Sequence, residues 1–287
     1  MRFRLKSLWM GLCLGICGAT GCGISVVEAQ DPARDSETVV FYVNGIFGTQ
    51  TDSSLAVREL SKAVNDFAGS ERLENVTFAI NHNSTNGSLD ILEYTLQDKL
   101  TDNAELWNWL SEYFPMPVWC QELVKQIEAS FYRIGHIVNE DVRKHTNEYI
   151  KNIQDDRRIL IVPHSQGNLF ANLAFGMLSD QDRKWISIVG VANPDSFVAG
   201  GGAYTTLEED MVNAAVDAAK ILLGGPRPLP ANFTNAPGGG SRDVLHHAFV
   251  PTYMESMNRS RARIAAGVVA ALRKSIVEGR PQKPDAR

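Results

Sequence analysis

Residues 159–175 read ILIVPHSQGNLFANLAF, which joins an apolar run, a short polar turn and an apolar segment with helical spacing. The run 159–163 is apolar and β-branched, as in a strand that is buried on both faces. Gly167 follows the turn and begins a segment whose apolar spacing predicts a helix to about Leu178. The sequence therefore predicts a strand, a tight turn at Ser165 and a helix.

The alternation of strand and helix recurs along the chain. Strands separated by helices are typical of a parallel sheet with helices on both faces. We therefore expect an α/β fold with a mostly parallel sheet of about five to six strands, in a single domain over 39–278. The short connection between the last two strands leaves the topology open. Further strands are predicted at 39–45, 75–82, 185–192 and 203–207, and further helices at 52–68 and 259–278.

A long insertion separates the second and third predicted strands, at about 88–156. It contains the aromatic-rich segment WNWLSEYFPMPVW (107–119) and then an apolar stripe with helical spacing at 123–142. One hypothesis is a helical cap over an acyl-binding cleft. The alternative is that the aromatic side chains pack the helices onto the sheet, which is the more common role of a single aromatic residue.

The first thirty residues are typical of an export signal. Arg2, Arg4 and Lys6 precede the apolar run 7–21, which is shorter than a membrane-spanning helix requires. Cleavage after Ala29 would remove residues 1–29 as a signal peptide. Alternatively, residues 19–22 (ATGC) resemble a bacterial lipobox, so that residues 1–21 would be removed and Cys22 lipidated. We expect an exported protein, periplasmic or secreted, with membrane attachment only if Cys22 is lipidated.

Composition excludes several classes of protein. The chain has 287 residues and a net charge of −5, so no overall basic field favours nucleic-acid binding. Cys120 is the only cysteine outside the predicted signal region, which excludes an intrachain disulfide in the remainder. It is expected to be a buried apolar side chain.

The turn around Ser165 contains a candidate catalytic motif. Residues 164–167 (HSQG) resemble the nucleophile elbow of the α/β-hydrolases, especially lipases and esterases, in the P-H-S-Q-G-N form of exported bacterial hydrolase-like proteins. Pro163 stands where the usual G-x-S-x-G motif has its first glycine. Gly167 meets the requirement for a small residue where neighbouring backbone passes close. The resemblance implies that Ser165 is the nucleophile; the alternative is a serine that caps a helix.

The resemblance also implies a histidine base late in the chain and an acid before it. The segment LHHAFVPTYM (245–254) offers His247, which is preferred because family members often have His-x-Phe before an aromatic-containing helix, and His246 is the alternative. For the acid, Asp210 follows the strand predicted at 203–207, and Asp195 is the second choice. The remaining histidines include His145, which is expected on the surface of a long helix.

The turn after the first strand, Asn44-Gly45, matches the place where the family supplies an oxyanion hole. The resemblance implies that Ile46 and Gln166 contribute their backbone N–H groups. No metal or cofactor is required by this chemistry. We expect a serine hydrolase that cleaves a carboxylic ester through an acyl-enzyme. The substrate is an ester or acyl compound, and lipid-like compounds are among the candidates. The alternatives are an acyltransferase on the same fold and a non-catalytic exported binding protein.

Overall fold

The structure is a computed structural model that describes residues 37–45, 49–69, 73, 75–83, 115–122, 125, 137–223, 225–235, 243, 245–277 and 281. These residues belong to one compact unit, Asp35–Arg287. The predicted export signal and most of the insertion at 88–156 lie outside them. None of the helices within these ranges is long and apolar enough to cross a membrane.

The described elements alternate between strands and helices. The strands are β1 (Thr38–Val43), β2 (Val76–Ile80), β3 (Arg158–Pro163), β4 (Ile186–Val191) and β5 (Ala203–Thr205). The α-helices are α1 (Gln50–Ala68), α2 (Ile137–Gln154), α3 (Gly167–Met177), α4 (Asp180–Arg183), α5 (Met211–Leu223) and α6 (Arg259–Val277). A 3₁₀ turn spans Ala199–Gly201 and a π-helical turn spans Phe249–Tyr253.

The five strands form one parallel sheet in the order β2-β1-β3-β4-β5. The direction in which strands are added reverses between β1 and β3, since β2 and β3 lie on opposite sides of β1. The loop after β1 leads to a helix on one face of the sheet, and the loop after β3 leads to a helix on the other face. In sheets of this kind, ligands bind at the carboxyl ends of the strands beside such a reversal. The loops after β1 and β3 therefore border the expected site.

Helices cover both faces of the sheet because both faces of each central strand are apolar. In β1, Val40 and Tyr42 pack in a buried cluster with α1 and α6. Val39, Phe41 and Val43 face the other way and pack with α2 and α3. This arrangement confirms the predicted fold class.

Two local features of the sheet answer points that the sequence left open. The connection from β4 to β5 is a short loop, 192–202, that contains the 3₁₀ turn in place of a full helix. Pro163 lies at the end of β3 and lacks the N–H group that its position would direct toward β4. The β3–β4 ladder pairs Ile161 with Ile188 and resumes at His164 and Val191 with the same offset. The departure from the usual elbow motif thus falls in a gap of the ladder and leaves its register unchanged.

Candidate active site

Ser165 lies in the turn between β3 and α3 in a left-handed backbone conformation, with φ of 53°. This conformation costs a residue with a Cβ atom about 1–2 kcal/mol, and hydrogen bonds on both sides hold it. The Ser165 N–H group donates to the carbonyl oxygen of Val191 at 3.0 Å. Asn168 Nδ2 donates to the carbonyl oxygens of Ser165 and Val191, each at 2.9 Å. Asn168 therefore fixes the turn to the end of β4.

Two glycines allow the backbone to pass close to this turn. A Cβ atom on Gly167 would lie 2.9 Å from the carbonyl oxygen of Asn44 and would also collide with that of Val43. A Cβ atom on Gly45 would lie 2.7 Å from the Ser165 Cβ atom. The turn after β1 and the turn after β3 are consequently in direct contact.

The structure brings Ser165, His247 and Asp210 together from three separate parts of the chain. His247 Nε2 lies 2.7 Å from Ser165 Oγ, and His247 Nδ1 lies 2.9 Å from both Asp210 carboxylate oxygens. All three residues are buried. Since an ionised carboxylate only accepts hydrogen bonds, the neutral ring carries its proton on Nδ1 and accepts from the serine at Nε2.

Asp210 is surrounded by further donors. The backbone N–H group of Asn213 donates to Oδ1 at 3.0 Å, and Asn213 Nδ2 donates to Oδ2 at 2.9 Å. The hydroxyl group of Tyr253 also donates to Oδ2, at 2.7 Å. A buried carboxylate with this number of partners is stabilised in its ionised form.

The pKa values of the pair move in opposite directions. Burial alone would raise the pKa of Asp210, but the charge of His247 and the hydrogen bonds to the carboxylate hold it below its ordinary value. Burial alone would lower the pKa of His247, but the charge and hydrogen bond of Asp210 raise it above its ordinary value. The ion pair that forms when His247 takes a proton is therefore favoured in place.

Two residues hold the backbone of the segment that carries His247. Asp243 Oδ2 accepts from the N–H groups of His247 and Ala248, each at 2.6 Å. His164 Nε2 lies 2.8 Å from the carbonyl oxygen of His247, so the His164 ring donates and carries its proton on Nε2. Burial, with a smaller contribution from His247, lowers the pKa of His164 to about 3, so this ring stays neutral.

The turn after β1 is joined to the loop after β2 by a pair of asparagines. The Asn83 N–H group donates to Asn44 Oδ1 at 2.8 Å, and Asn83 Nδ2 donates to the carbonyl oxygen of Asn44 at 2.5 Å. Asn44 Nδ2 donates in turn to the carbonyl oxygen of Gly45 at 2.9 Å. Both asparagines are 1% exposed. This network fixes the backbone of Asn44 and Gly45 at the end of β1.

The two predicted oxyanion residues differ in whether the structure describes them. Ile46 lies outside the described residues. Gln166 is buried directly after Ser165, and its carbonyl oxygen accepts from the N–H group of Leu169 at 3.0 Å in the first turn of α3. Ser165 thus lies directly before the amino end of α3, which carries a partial positive charge.

Some residues considered from the sequence lie elsewhere. His246 is half-buried with φ of 51°. The imidazole ring that contacts Ser165 Oγ belongs to His247 instead. Asp195 accepts from Asn172 Nδ2 at 2.8 Å and from the Ser196 N–H group at 2.7 Å, on the loop between β4 and β5, whereas the carboxylate on the His247 ring is that of Asp210. His145 was expected on the surface, and this is wrong. It is fully buried beside the rings of Tyr149 and Phe170, because its face of α2 packs on α3.

Sequence reasoning assigned no role in the site to Tyr253, Asn213, Asn83 and Asp243; Tyr253 was noted only as the aromatic residue that follows His247. Only Asn213 had a sequence signal, since it lies three residues after Asp210 at the start of a helix, where a side chain can reach back to a capping carboxylate. The other contacts join residues that are remote in sequence or lie in turns. Within the part of the chain that the structure describes, no three His, Cys, Asp or Glu side chains lie together in a way that could hold a metal ion.

Comparison with known proteins adds little to this geometry. No protein-family model matches the chain, and no curated protein matches it. Among solved structures, a novel cutinase-like protein from Cryptococcus sp. is similar at 12% sequence identity with a TM-score of 0.30. The similarity covers 56% of this chain and 55% of that one, so the chain spans about half the length of that protein. A likeness this weak supports no function, so a function for this chain must rest on the geometry of its site.

Proposed function

We propose that the protein is a serine hydrolase that cleaves carboxylic esters, with Ser165 as nucleophile, His247 as general base and acid, and Asp210 as the carboxylate that orients His247. One observation carries the proposal: Ser165 Oγ lies 2.7 Å from His247 Nε2, and Asp210 lies 2.9 Å behind the other ring nitrogen. A serine hydroxyl group is a weak nucleophile until an adjacent base accepts its proton. This chain of contacts supplies that base and the group that orients it.

In the first step, Ser165 Oγ bonds to the ester carbonyl carbon while its proton moves to His247 Nε2. The carbonyl oxygen becomes an oxyanion, for which the N–H groups of Gln166 and Ile46 are the proposed donors. The carbon–oxygen bond to the alcohol then breaks, and His247 returns the proton to the departing alkoxide. The acyl group is left on Ser165 as an ester.

In the second step, water replaces the alcohol. The water oxygen attacks the acyl carbon while His247 takes a proton from the water. His247 then gives this proton to Ser165 Oγ as the carboxylic acid is released. Asp210 keeps its negative charge throughout and stabilises the imidazolium form of His247. The lowered pKa of Asp210 and the raised pKa of His247 both support this division of roles.

The test is hydrolysis of short p-nitrophenyl esters by the purified protein and by Ser165→Ala. We expect the variant to lose activity by a factor of about 10⁴ or more and to keep the wild-type melting temperature within a few degrees. Ser54→Ala is the matched control, because this serine lies exposed on α1 and bonds to the Gln50 carbonyl oxygen of its own helix. Turnover by Ser165→Ala equal to that of the wild type would exclude the mechanism.

A fluorophosphonate probe gives a second, independent readout. Its phosphorus should bond to Ser165 Oγ, with loss of fluoride and transfer of the serine proton to His247. Mass spectrometry should find the adduct on the peptide that contains Ser165 and find none in Ser165→Ala. A protein that binds esters without catalysis would give no adduct. Release of acyl groups to added alcohols in preference to water would instead identify an acyltransferase.

We also propose that the chain acts outside the cytoplasm. The support is the sequence alone: three basic residues, an apolar run and two competing processing sites within the first thirty residues. The mass of the mature amino terminus tests this proposal. A start near Gln30 indicates a released protein, a lipid-modified Cys22 indicates a membrane-attached one, and an intact Met1 in exponentially growing cells contradicts export.

A further inference from the structure

The hydroxyl group of Tyr253 donates a hydrogen bond to the carboxylate of Asp210. The residue is fully buried at the end of the π-helical turn, and its hydroxyl oxygen lies 2.7 Å from Asp210 Oδ2. The backbone N–H group of Leu207 donates to the same hydroxyl oxygen at 3.0 Å. Because the oxygen already accepts from Leu207 and the carboxylate cannot donate, the Tyr253 O–H group must point at Asp210.

The position of Asp210 does not depend on this contact. The backbone and side chain of Asn213 bind one carboxylate oxygen each, at 3.0 and 2.9 Å. His247 Nδ1 lies 2.9 Å from both carboxylate oxygens. Without the hydroxyl group of Tyr253, three donors still fix the carboxylate, so the hydroxyl group changes the charge on Asp210 rather than its place.

We infer that Tyr253 does not touch the reacting atoms but acts through Asp210: its hydroxyl group draws negative charge away from the carboxylate and thereby limits how strongly His247 holds a proton. The inference rests on the proposed function. A donor that stabilises a carboxylate weakens the attraction of that carboxylate for a neighbouring cation. In a serine hydrolase the base must accept a proton and then release it to the leaving alcohol. A base that holds the proton too strongly is already protonated at neutral pH.

Other titratable groups also face this part of the site. His247 is influenced by Asp210, by Asp243 and by the neutral ring of His164. Tyr253 faces Asp210 and Glu209. Its ring also lies 5.9 Å, centroid to centroid, from the His164 ring. Removal of one hydroxyl group leaves all of these in place, so the change can be attributed to the contact with Asp210.

The experiment compares the wild-type protein with Tyr253→Phe. We expect the acid limb of kcat/KM for a p-nitrophenyl ester to move to higher pH by about half to one unit. A hydrogen bond to a charged group corresponds to about one to two pKa units on the carboxylate itself, and only part of that effect reaches His247. The ring titration of His247, followed by NMR of selectively labelled histidine, should move in the same direction. Tyr149→Phe is the matched control, because this tyrosine is also fully buried but packs on the opposite face of the sheet.

A second substitution tests the opposite sign. 3-Fluorotyrosine placed at position 253 alone has a more acidic hydroxyl group and is a stronger donor, so the limb and the His247 titration should both move to lower pH. This variant keeps the Leu207 contact and serves if Tyr253→Phe does not fold.

The outcomes separate the inference from the function on which it rests. Unchanged His247 titration in both variants, or a shift of either variant in the unexpected direction, overturns the role of Tyr253. Absence of any ester hydrolysis or phosphonate labelling by the wild type overturns the proposed function, while the NMR titration still decides the role of Tyr253. A drop in kcat with no movement of the limb would indicate a purely structural role and would also overturn the inference.

Discussion

The His164 side chain donates a hydrogen bond from Nε2 to the backbone carbonyl oxygen of His247 at 2.8 Å. Its ring also lies 5.1 Å from the His247 ring, centroid to centroid. His164, which directly precedes Ser165, thus binds the backbone of the segment that carries the proposed base. Ser165 and His247 are 82 positions apart in the chain, yet a neighbour of one holds the backbone of the other.

His164→Leu removes this hydrogen bond and places an apolar side chain in the buried position. We expect kcat to fall by roughly tenfold to a hundredfold with little change in KM, because small displacements of a base from its nucleophile have effects of this size. His164→Gln retains an N–H donor and should recover much of the lost kcat. Steady-state kinetics on one ester measure both. Equal activity of His164→Leu and the wild type would show that this hydrogen bond does not contribute to catalysis.

Asp210→Asn should lower kcat by about 10⁴-fold with the fold intact, because an amide cannot stabilise the imidazolium form and favours the wrong ring tautomer. Asp195→Asn is the control. Asp195 bonds to Asn172 and Ser196 on another loop, so this change should leave kcat within about twofold. A larger loss in Asp195→Asn than in Asp210→Asn would reverse the assignment of the acid.

Activity should rise with pH through a midpoint above 6.5. The pKa of His247 is raised by Asp210 over the opposing effect of burial, and only the neutral ring can accept the serine proton. Protonation therefore removes activity as the pH falls through that raised pKa. The profile of kcat/KM in the free enzyme reports this midpoint directly. A midpoint below 6.5 would contradict the ion pair described for the site.

Stability should fall in acid for a different reason. Burial lowers the pKa of His145 to about 4 and that of His164 to about 3, so neither ring is charged in the folded protein at pH 5. The unfolded chain binds a proton at each below its ordinary pKa of about 6.5. Lowering the pH from 6.5 toward 4 thus favours unfolding, by about 1.4 kcal/mol per pH unit for each histidine.

Denaturant unfolding at several pH values measures this slope. His145→Gln should lose the contribution of one histidine to it, and His246→Gln, which changes a half-buried residue, is the control. A slope that is the same in His145→Gln and in the wild type would mean that the buried ring takes no part.

The sequence was a good guide to the backbone of the site. The apolar runs before Asn44 and Ser165 predicted two strands of the sheet, and the small residue at Gly167 predicted the close passage of backbone. These features follow from local chemistry: β-branched runs favour buried strands, and a collision between a Cβ atom and a carbonyl oxygen excludes every larger residue.

Contacts between side chains were much harder to predict. Tyr253 reaches Asp210, and Asn83 reaches Asn44, across long stretches of chain, and no periodicity encodes such pairs. His145 was misplaced because its helix was interpreted from the stripe at 123–142. The stripe that is buried continues through Val142, Tyr149 and Ile153, and His145 lies on the same face. A polar residue type on a helix says less about its exposure than the face on which it falls.

The left-handed backbone of Ser165 lowers the stability of the turn in which it lies. Glycine would adopt φ of 53° without penalty, whereas serine raises the energy of the folded state by about 1–2 kcal/mol. Substitution of Ser165 by glycine would therefore relieve this cost, and it would also remove the hydroxyl group that the proposed chemistry requires. If Ser165 is the nucleophile that we propose, the stability of this turn and its reactivity place opposite demands on the same residue.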